Sequence, residues 1–361
     1  AGLPSGAPAG MLLVSPNALR ASLSESLEAV MEALAEALVV AAHEAVLSEV
    51  DATMGLAAEL QARPTSLDAF SAFYAKYVEG QSGDEALLAR QQAVLDMYDT
   101  LGEYGGRVPP QDQVLLDDLK DAQRIYKRSM ADASVHVAER RAIAVEALGA
   151  AVADTTAALS GIIAELRGGA FDDAGAEVGS VLEKLGGVQA RYDDVAEKAG
   201  RFKGYQELYE LSASNFSDVE QAHKELSVHR AKWQLLADFE RTANSWMKST
   251  CDSLNPDDIQ AKVDELSATN YKMLKSRRED SVVLRLKTSL DAFKWRMPLF
   301  AEVANPALQA RHWAAIYGVL DLTYDEEDPP TPSKLLDYGI MEHFDAVQAQ
   351  GAVATKEYSM L

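Results

Sequence analysis

Apolar side chains recur at steps of three and four through most of this 361-residue chain, and alternation by two is missing. Leu23, Leu27, Val30, Leu34 and Leu38 set the pattern. An α-helix turns once in about 3.6 residues, so such spacing lays one apolar stripe along one face. No β-branched, alternating run bounded by turns stands against it, and the spacing predicts an all-α chain.

Breakers divide the helices. Arg63-Pro64 ends the first, and Thr65 or Ser66 is placed to cap a second carrying Leu67, Phe70, Phe73 or Tyr74, and Tyr77. The run "YGGRVPP", Tyr104 to Pro110, closes that helix, and a long one is expected from Gln111 to about Leu166. "RGGAFDDAG" and then "LGG" are expected to punctuate the chain beyond it, the paired glycines at 105, 168 and 186 acting as caps and turns. Asn255-Pro256-Asp257-Asp258 reads as a helix start with acids suited to the dipole. Met297-Pro298 should break or kink a helix, because proline removes a backbone donor. "YDEEDPPTPSK", Tyr324 to Lys334, reads as a loop, with Thr331-Pro332 reopening a helix towards Leu361.

Composition shifts near Gly200. The first part is rich in alanine and lacks tryptophan, while Trp233, Trp246, Trp295 and Trp313 all lie beyond it. Alanine-rich helices pack closely through thin interfaces, and tryptophan-bearing helices bury more area and fix more specific crossings. The expected architecture is elongated helical bundles over residues 1–200, followed by a tryptophan-rich helical segment over 201–361. Val219, Leu226 and Trp233 recur at seven-residue steps there, and Leu236, Phe239, Ala243 and Trp246 continue the face.

Charge and cysteine content narrow the function classes. With 34 basic and 56 acidic side chains the formal net charge is −22, which disfavours nucleic acid and anionic membrane as partners. One cysteine, Cys251, excludes an intrachain disulfide and a multi-thiolate zinc site. His223 and His229, six apart, fall on different helix faces. No apolar run approaches the roughly 20 residues that span a bilayer. The first residues lack an initiating methionine and a basic start, and the last lack a helix stop, so the chain is expected to be a piece of a longer polypeptide.

Two acidic motifs raise an enzymatic reading. Asp117, Asp118 and Asp121 of "DDLKD" share a helix face and would suit magnesium against a diphosphate. "DDIQAKVDE", with Asp257 and Glu265, resembles the second metal motif of all-α terpene synthases but has Ala261 at its hydroxyl ligand. The competing reading is a solvated helix face with intrahelical ion pairs. No Gly-Lys dipeptide exists, so the Walker-type loop is absent. Cys251, between Thr250 and Asp252, has no activating neighbour in sequence, and no serine stands in a nucleophile elbow. The run Lys272 to Arg278, "KMLKSRR", is either a dock for an acidic partner or a charged helix end.

The stretch "NPALQARHWAAIYGVL", Asn305 to Leu320, would start a helix near Pro306. Leu308, His312 and Ala315 would share one face, Trp313, Ile316 and Leu320 another, with Arg311 free to bond a neighbouring helix. Its wording, "WRMPLFAEVANPALQARHW", resembles the linker of the dynein heavy chain family. "FKGYQELYEL" from Phe202, "ELSVHRAKWQLLADFERTANSW" from Glu225, "DDIQAKVDELSATNYKMLK" and the segment from Thr331 to Leu361 resemble its flanking segments, so the likeness covers Phe202 to Leu361.

The resemblance implies a non-catalytic tail and N-terminal linker segment of a microtubule motor, axonemal type favoured, in a cilium or flagellum. It implies no cofactor in this segment, with ATP and magnesium only in a distant motor domain. It further implies intermediate or light chains or axonemal docking proteins as partners, other heavy chains besides, and microtubule contact only through remote parts of the parent. Arg311, His312, Trp313, Trp233, Trp246, Trp295 and Pro298 would be its structural and mechanical residues. A spectrin-like or vinculin-like scaffold would instead need repeats of constant length, and no such period is found.

Overall fold

The computed structural model describes residues 7–9, 12–14 and 17–360. Apart from one antiparallel hairpin, β1 (Ala7–Ala9) with β2 (Leu12–Val14), every regular element is helical among the described residues. The hairpin departs from the strand-free expectation, because two three-residue strands are too short to show alternation.

Two compact units form. The first comprises residues 1–151 and 202–213, the second 152–201 and 214–361. Compactness divides the chain at one point inside the helix α3 (Pro110–Arg167), one inside α4 (Val178–Leu208) and one between Ala213 and Ser214, after α4.

In the first unit, α1 (Asn17–Leu60) and α2 (Leu67–Glu103) run antiparallel, as the bonds Gln91 to Thr53 and Arg90 to Glu49 and the ion pair Lys76–Glu59 require. Ser66 caps α2 by accepting from the Ala69 amide at 3.4 Å. Phe70, Phe73 and Tyr77 are buried, and the rings of Phe70 and Phe73 meet the edge of His136. The buried Ser71 hydroxyl pairs with that of Tyr209 at 2.9 Å. Asp112, fully buried, is satisfied by His43 at 2.6 Å and by the Tyr98 hydroxyl at 3.1 Å. Burial, first, and that carboxylate push the Tyr98 hydroxyl pKa upward.

The α3 helix starts at Pro110 and ends at Arg167, close to the boundaries read from sequence. One 18-residue window in it is apolar enough to cross a membrane by length and composition, which the search for apolar runs missed. The helix is that apolar because it is alanine-rich, and Leu148, Leu159, Ile162 and Leu166 along it are buried within the protein.

The second unit holds the rest of α3 and α4 with α5 (Ser217–Lys248), α6 (Pro256–Ser276), α7 (Ser281–Trp295), α8 (Met297–Val303), α9 (Ala310–Val319), α10 (Pro332–Asp337) and α11 (Phe344–Tyr358). One core gathers Leu166, Val181, Leu226, Trp233, Leu236 and Phe293, and a second gathers Cys251, Leu299, Trp313, Ile316 and Val347.

Two breaks differ from expectation. Gly186 and Gly187 do not punctuate anything: α4 runs through them. Each glycine costs a helix about 1 kcal/mol, and burial of the flanking Leu185 and Val188 outweighs it. The final segment is not one helix either. Gly339, at φ 77°, ends the turn after α10, and a 3₁₀ turn over Ile340–His343 leads into α11.

Candidate functional site

The segment after α8 begins with an Asn-Pro turn. Asn305 Oδ1 accepts from the Ala307 amide at 3.0 Å, and the helix proper starts only at Ala310, four residues later than Pro306 suggested. Gln309, in extended geometry, is the N-cap residue. Its amide donates to His312 Nδ1 at 3.0 Å, so the neutral ring carries its proton on Nε2. That nitrogen donates to Glu357 of α11 at 3.1 Å.

Arg311 bonds the same carboxylate, and Asn305 Nδ2 donates to Thr355 Oγ1 at 2.8 Å and to the Gly351 carbonyl at 3.3 Å. Asn305, Arg311 and His312 therefore all clasp one helix. Desolvation pushes the Glu357 carboxyl up, and the hydrogen bonds and charge of Arg311 and His312 together outweigh it. Glu357 sits below the usual carboxylate range. Beside the clasp, α11 comes close to α8: a Cβ on Gly351 would lie 2.5 Å from Glu302 Oε2.

Behind the clasp, His312, Trp313, Ile316 and Tyr317 are all buried, so the helix presents one continuous face rather than two. Leu308 and Leu320 pack at its edge. Cys251 lies in the same core, and its amide donates to the Pro330 carbonyl at 3.0 Å, tying the "DEEDPPTP" loop down. Burial pushes the thiol pKa up to about 12, so Cys251 is a packing group.

The tryptophans divide. Trp233 is fully buried, Trp313 is 7% exposed, and Trp246 packs its ring 5.5 Å from that of Phe293. Trp295 is 65% exposed and supplies no crossing. It is the last residue of α7, where the chain turns into α8 and the packed face ends at Phe293. Pro298 stands in the first turn of α8, where a missing amide costs nothing, and the break falls where it was expected.

A buried ion cluster escaped the sequence reading. Lys232, 2% exposed on α5, pairs with Asp172 of the α3–α4 loop and with Asp280 at 2.9 Å. Asp280 also caps α7 through the amides of Val282 and Val283. Burial raises its carboxyl and Lys232 more than reverses this, leaving its pKa lowered. Next to Lys232, the Trp233 indole donates to the Phe171 carbonyl, and Arg285 bonds the carbonyls of Ala174 and Ala176. The flexible-looking "GGAFDDAG" is held from two helices.

The acidic motifs are occupied by local partners. Lys120 pairs with Asp117 and Arg124 with Asp121, both at 2.9 Å one turn apart, and Asp118 is exposed. Asp257 stands in the capped first turn of α6, and Glu265 pairs with Lys262. No group of three or more His, Cys, Asp or Glu side chains is placed to hold a metal ion among the described residues. Arg277 and Arg278 of the basic run border an open groove of about 650 Å³ with Asp172 and Asp280.

What this fold and this clasp define is a helical chain whose polar side chains join helices. Residues 219–361 match the family model described as dynein heavy chain, N-terminal region 2. The chain is 25% identical over 285 residues to dynein axonemal heavy chain 6 of Homo sapiens, covering 78% of this chain and 7% of that protein. It is 22% identical over 177 residues to dynein axonemal heavy chain 1 of Mus musculus, covering 48% and 4%. With dynein axonemal heavy chain 2 of Homo sapiens it shares 22% over 184 residues, covering 50% and 4%. The chain is thus similar to the N-terminal region of dynein heavy chains, and axonemal-type heavy chains predominate among its matches. It spans only 4–7% of the length of these relatives. An alignment of 285 residues is longer than Phe202 to Leu361, so the likeness extends into the alanine-rich part.

Proposed function

We propose that this chain is the tail-and-linker segment of an axonemal motor, passing force from a distant ATPase ring and carrying accessory subunits in a cilium or flagellum. The observation that carries this reading is the clasp. The residues whose wording carries the family resemblance, Asn305 to Trp313, are the ones whose polar groups tie α9 and its lead-in turn to α11. A force-bearing segment needs crossings that do not slide. A buried aromatic backed by charge-assisted bonds resists sliding better than apolar packing alone. Trp233 and Trp313 serve the two cores, and Pro298 and the Tyr324–Lys334 loop are the points of bending.

Intermediate or light chains, axonemal docking proteins or other heavy chains are the proposed partners, with the microtubule reached only through remote parts of the parent. In the complete motor, Trp313→Ala should reduce microtubule gliding velocity more than basal ATP turnover. Equal loss of both would refute a role in transmission.

A further inference from the structure

The basic run Lys272–Arg278 divides at the end of α6. Lys275 stands in the last turn of the helix, 4.9 Å from the centre of the Tyr271 ring, where the dipole and the ring both favour a cation. Arg277 is the C-cap residue and Arg278 follows it, so the helix-end reading leaves these two guanidinium groups without a role. Both are exposed and, with Lys275, line the open groove of about 650 Å³ formed by the end of α6, the start of α7 and the α3–α4 loop. Neither has an ion-pair partner among the described residues.

Most of the carboxylates in the groove are already committed. Asp172 and Asp280 both pair with the buried Lys232, and Asp280 also caps α7. Against Lys275, Arg277 and Arg278, Glu279 is the one groove carboxylate without an ion-pair partner among the described residues. The groove is therefore net positive on a chain of net charge −22. Arg277 also borders an adjoining pocket of about 120 Å³, walled mainly by the apolar side chains of Val228, Ala231, Met273 and Val283. An apolar cavity of about 150 Å³ holds a benzene-sized molecule, so this pocket takes a single aliphatic side chain.

We propose that this groove docks a short acidic segment of another protein, with aspartate or glutamate on Lys275, Arg277 and Arg278 and one leucine-type side chain in the adjoining pocket. The planar fork of arginine takes carboxylates bidentately, and clusters of such forks are a recurring way to read acidic motifs. Screening sets the length of the occupant. At physiological salt a charge is felt over about 8 Å, so a short segment meets the local cations. A nucleic acid or an anionic membrane would also face the acidic surroundings and be repelled. A second copy of this chain brings another net charge of −22 and is opposed in the same way. The assignment rests on the docking half of the proposed function and gives it a partner chemistry.

The test uses the purified chain and three short fluorescent peptides: glutamates around a central leucine, the same with glutamines for the glutamates, and the same with serine for the leucine. Anisotropy titration should give at least about tenfold tighter binding of the glutamate peptide than of the glutamine one, weakened about tenfold or more by Arg277→Ala with Arg278→Ala. Lys127→Ala with Arg128→Ala, an equal loss of charge in the other unit, should leave the affinity unchanged. Serine for leucine in the peptide should weaken binding about fivefold or more, and Ala231→Leu, which fills the pocket from its own wall, should remove that preference. All these positions are exposed, and circular dichroism of each variant verifies that helicity is kept.

Failure of the glutamate peptide to bind, equal affinity for the glutamate and glutamine peptides, equal losses from the two alanine pairs, or indifference to the leucine would overturn the proposal. So would tighter binding of an oligonucleotide or of phosphatidylserine vesicles that Arg277→Ala with Arg278→Ala abolishes. A dimer in sedimentation that the same pair dissolves would also overturn it, since the groove would then belong to a second copy. Any of these results leaves the comparison of gliding velocity with ATP turnover untouched.

Discussion

The indole nitrogen of Trp233 donates a hydrogen bond to the backbone carbonyl of Phe171 at 2.8 Å, across 62 positions of sequence, with no water-accessible surface on the tryptophan. One side chain thus anchors the α3–α4 loop and fills the larger core of its unit. Trp233→Phe keeps most of the volume and removes the donor. It should cost about 1–3 kcal/mol from the unpaired carbonyl plus a small cavity, and Trp233→Ala about 3–5 kcal/mol. Urea unfolding followed by far-UV circular dichroism reads both, and a Phe variant as stable as wild type would show that the bond contributes nothing.

Lys232 and Asp280 offer a sharper test of burial. Lys232→Met should destabilise the unit by about 3–5 kcal/mol, because it leaves Asp280 ionised and nearly buried without its cation. Lys232→Met with Asp280→Asn should recover much of that loss, since asparagine still caps α7 and carries no charge. Denaturant midpoints of the two single variants, the double variant and wild type close the cycle. Additive losses would mean the pair is not coupled.

The acid limb of stability follows from Asp280 and Glu357. Both have folded pKa values below their unfolded ones, so their stabilisation is fully present above the unfolded value, about 4, and disappears as pH falls through the folded one. The difference in denaturant midpoint between wild type and Glu357→Gln should therefore be constant near neutrality and shrink below about pH 4. A difference that grows on acidification would reverse the assignment.

Trp313 and Trp295 should separate cleanly. Trp313→Ala is expected to cost about 3–5 kcal/mol, and Trp295→Ala to stay within about 0.5 kcal/mol, because the first opens a cavity and the second side chain is mostly in water. Thermal melts of both variants suffice, and comparable losses would mean that Trp295 packs on something outside its own unit.

Gly187→Ala should stabilise α4 by about 0.5–1 kcal/mol, since a Cβ there meets nothing within 4 Å and the backbone is already helical. A lower melting temperature would show that the glycine is kept for close approach by a partner.

Much of the local structure was legible from residue spacing. The capped start at Ser66, the span of α3, the proline-containing start of α8 and the Asn255 cap were each read from a few adjacent residues. Each depends on a single chain segment: a side chain bonding an amide two or three residues on, or a ring lacking one donor. The polar residues of the clasp stood out too, although their partner on α11 lay 45 to 50 positions away.

The sequence by itself determined that this chain is helical, where most helices stop, and which family its second half resembles, because helix periodicity and breaker chemistry act within one or two turns. Only the tertiary structure decided that Gly186 and Gly187 are crossed, that Trp295 faces water, that Lys232 is buried between two aspartates, and that two of the three boundaries of the compact units fall inside α3 and α4. Those outcomes depend on which distant surfaces come together, and the burial they gain outweighs local preferences of about 1 kcal/mol.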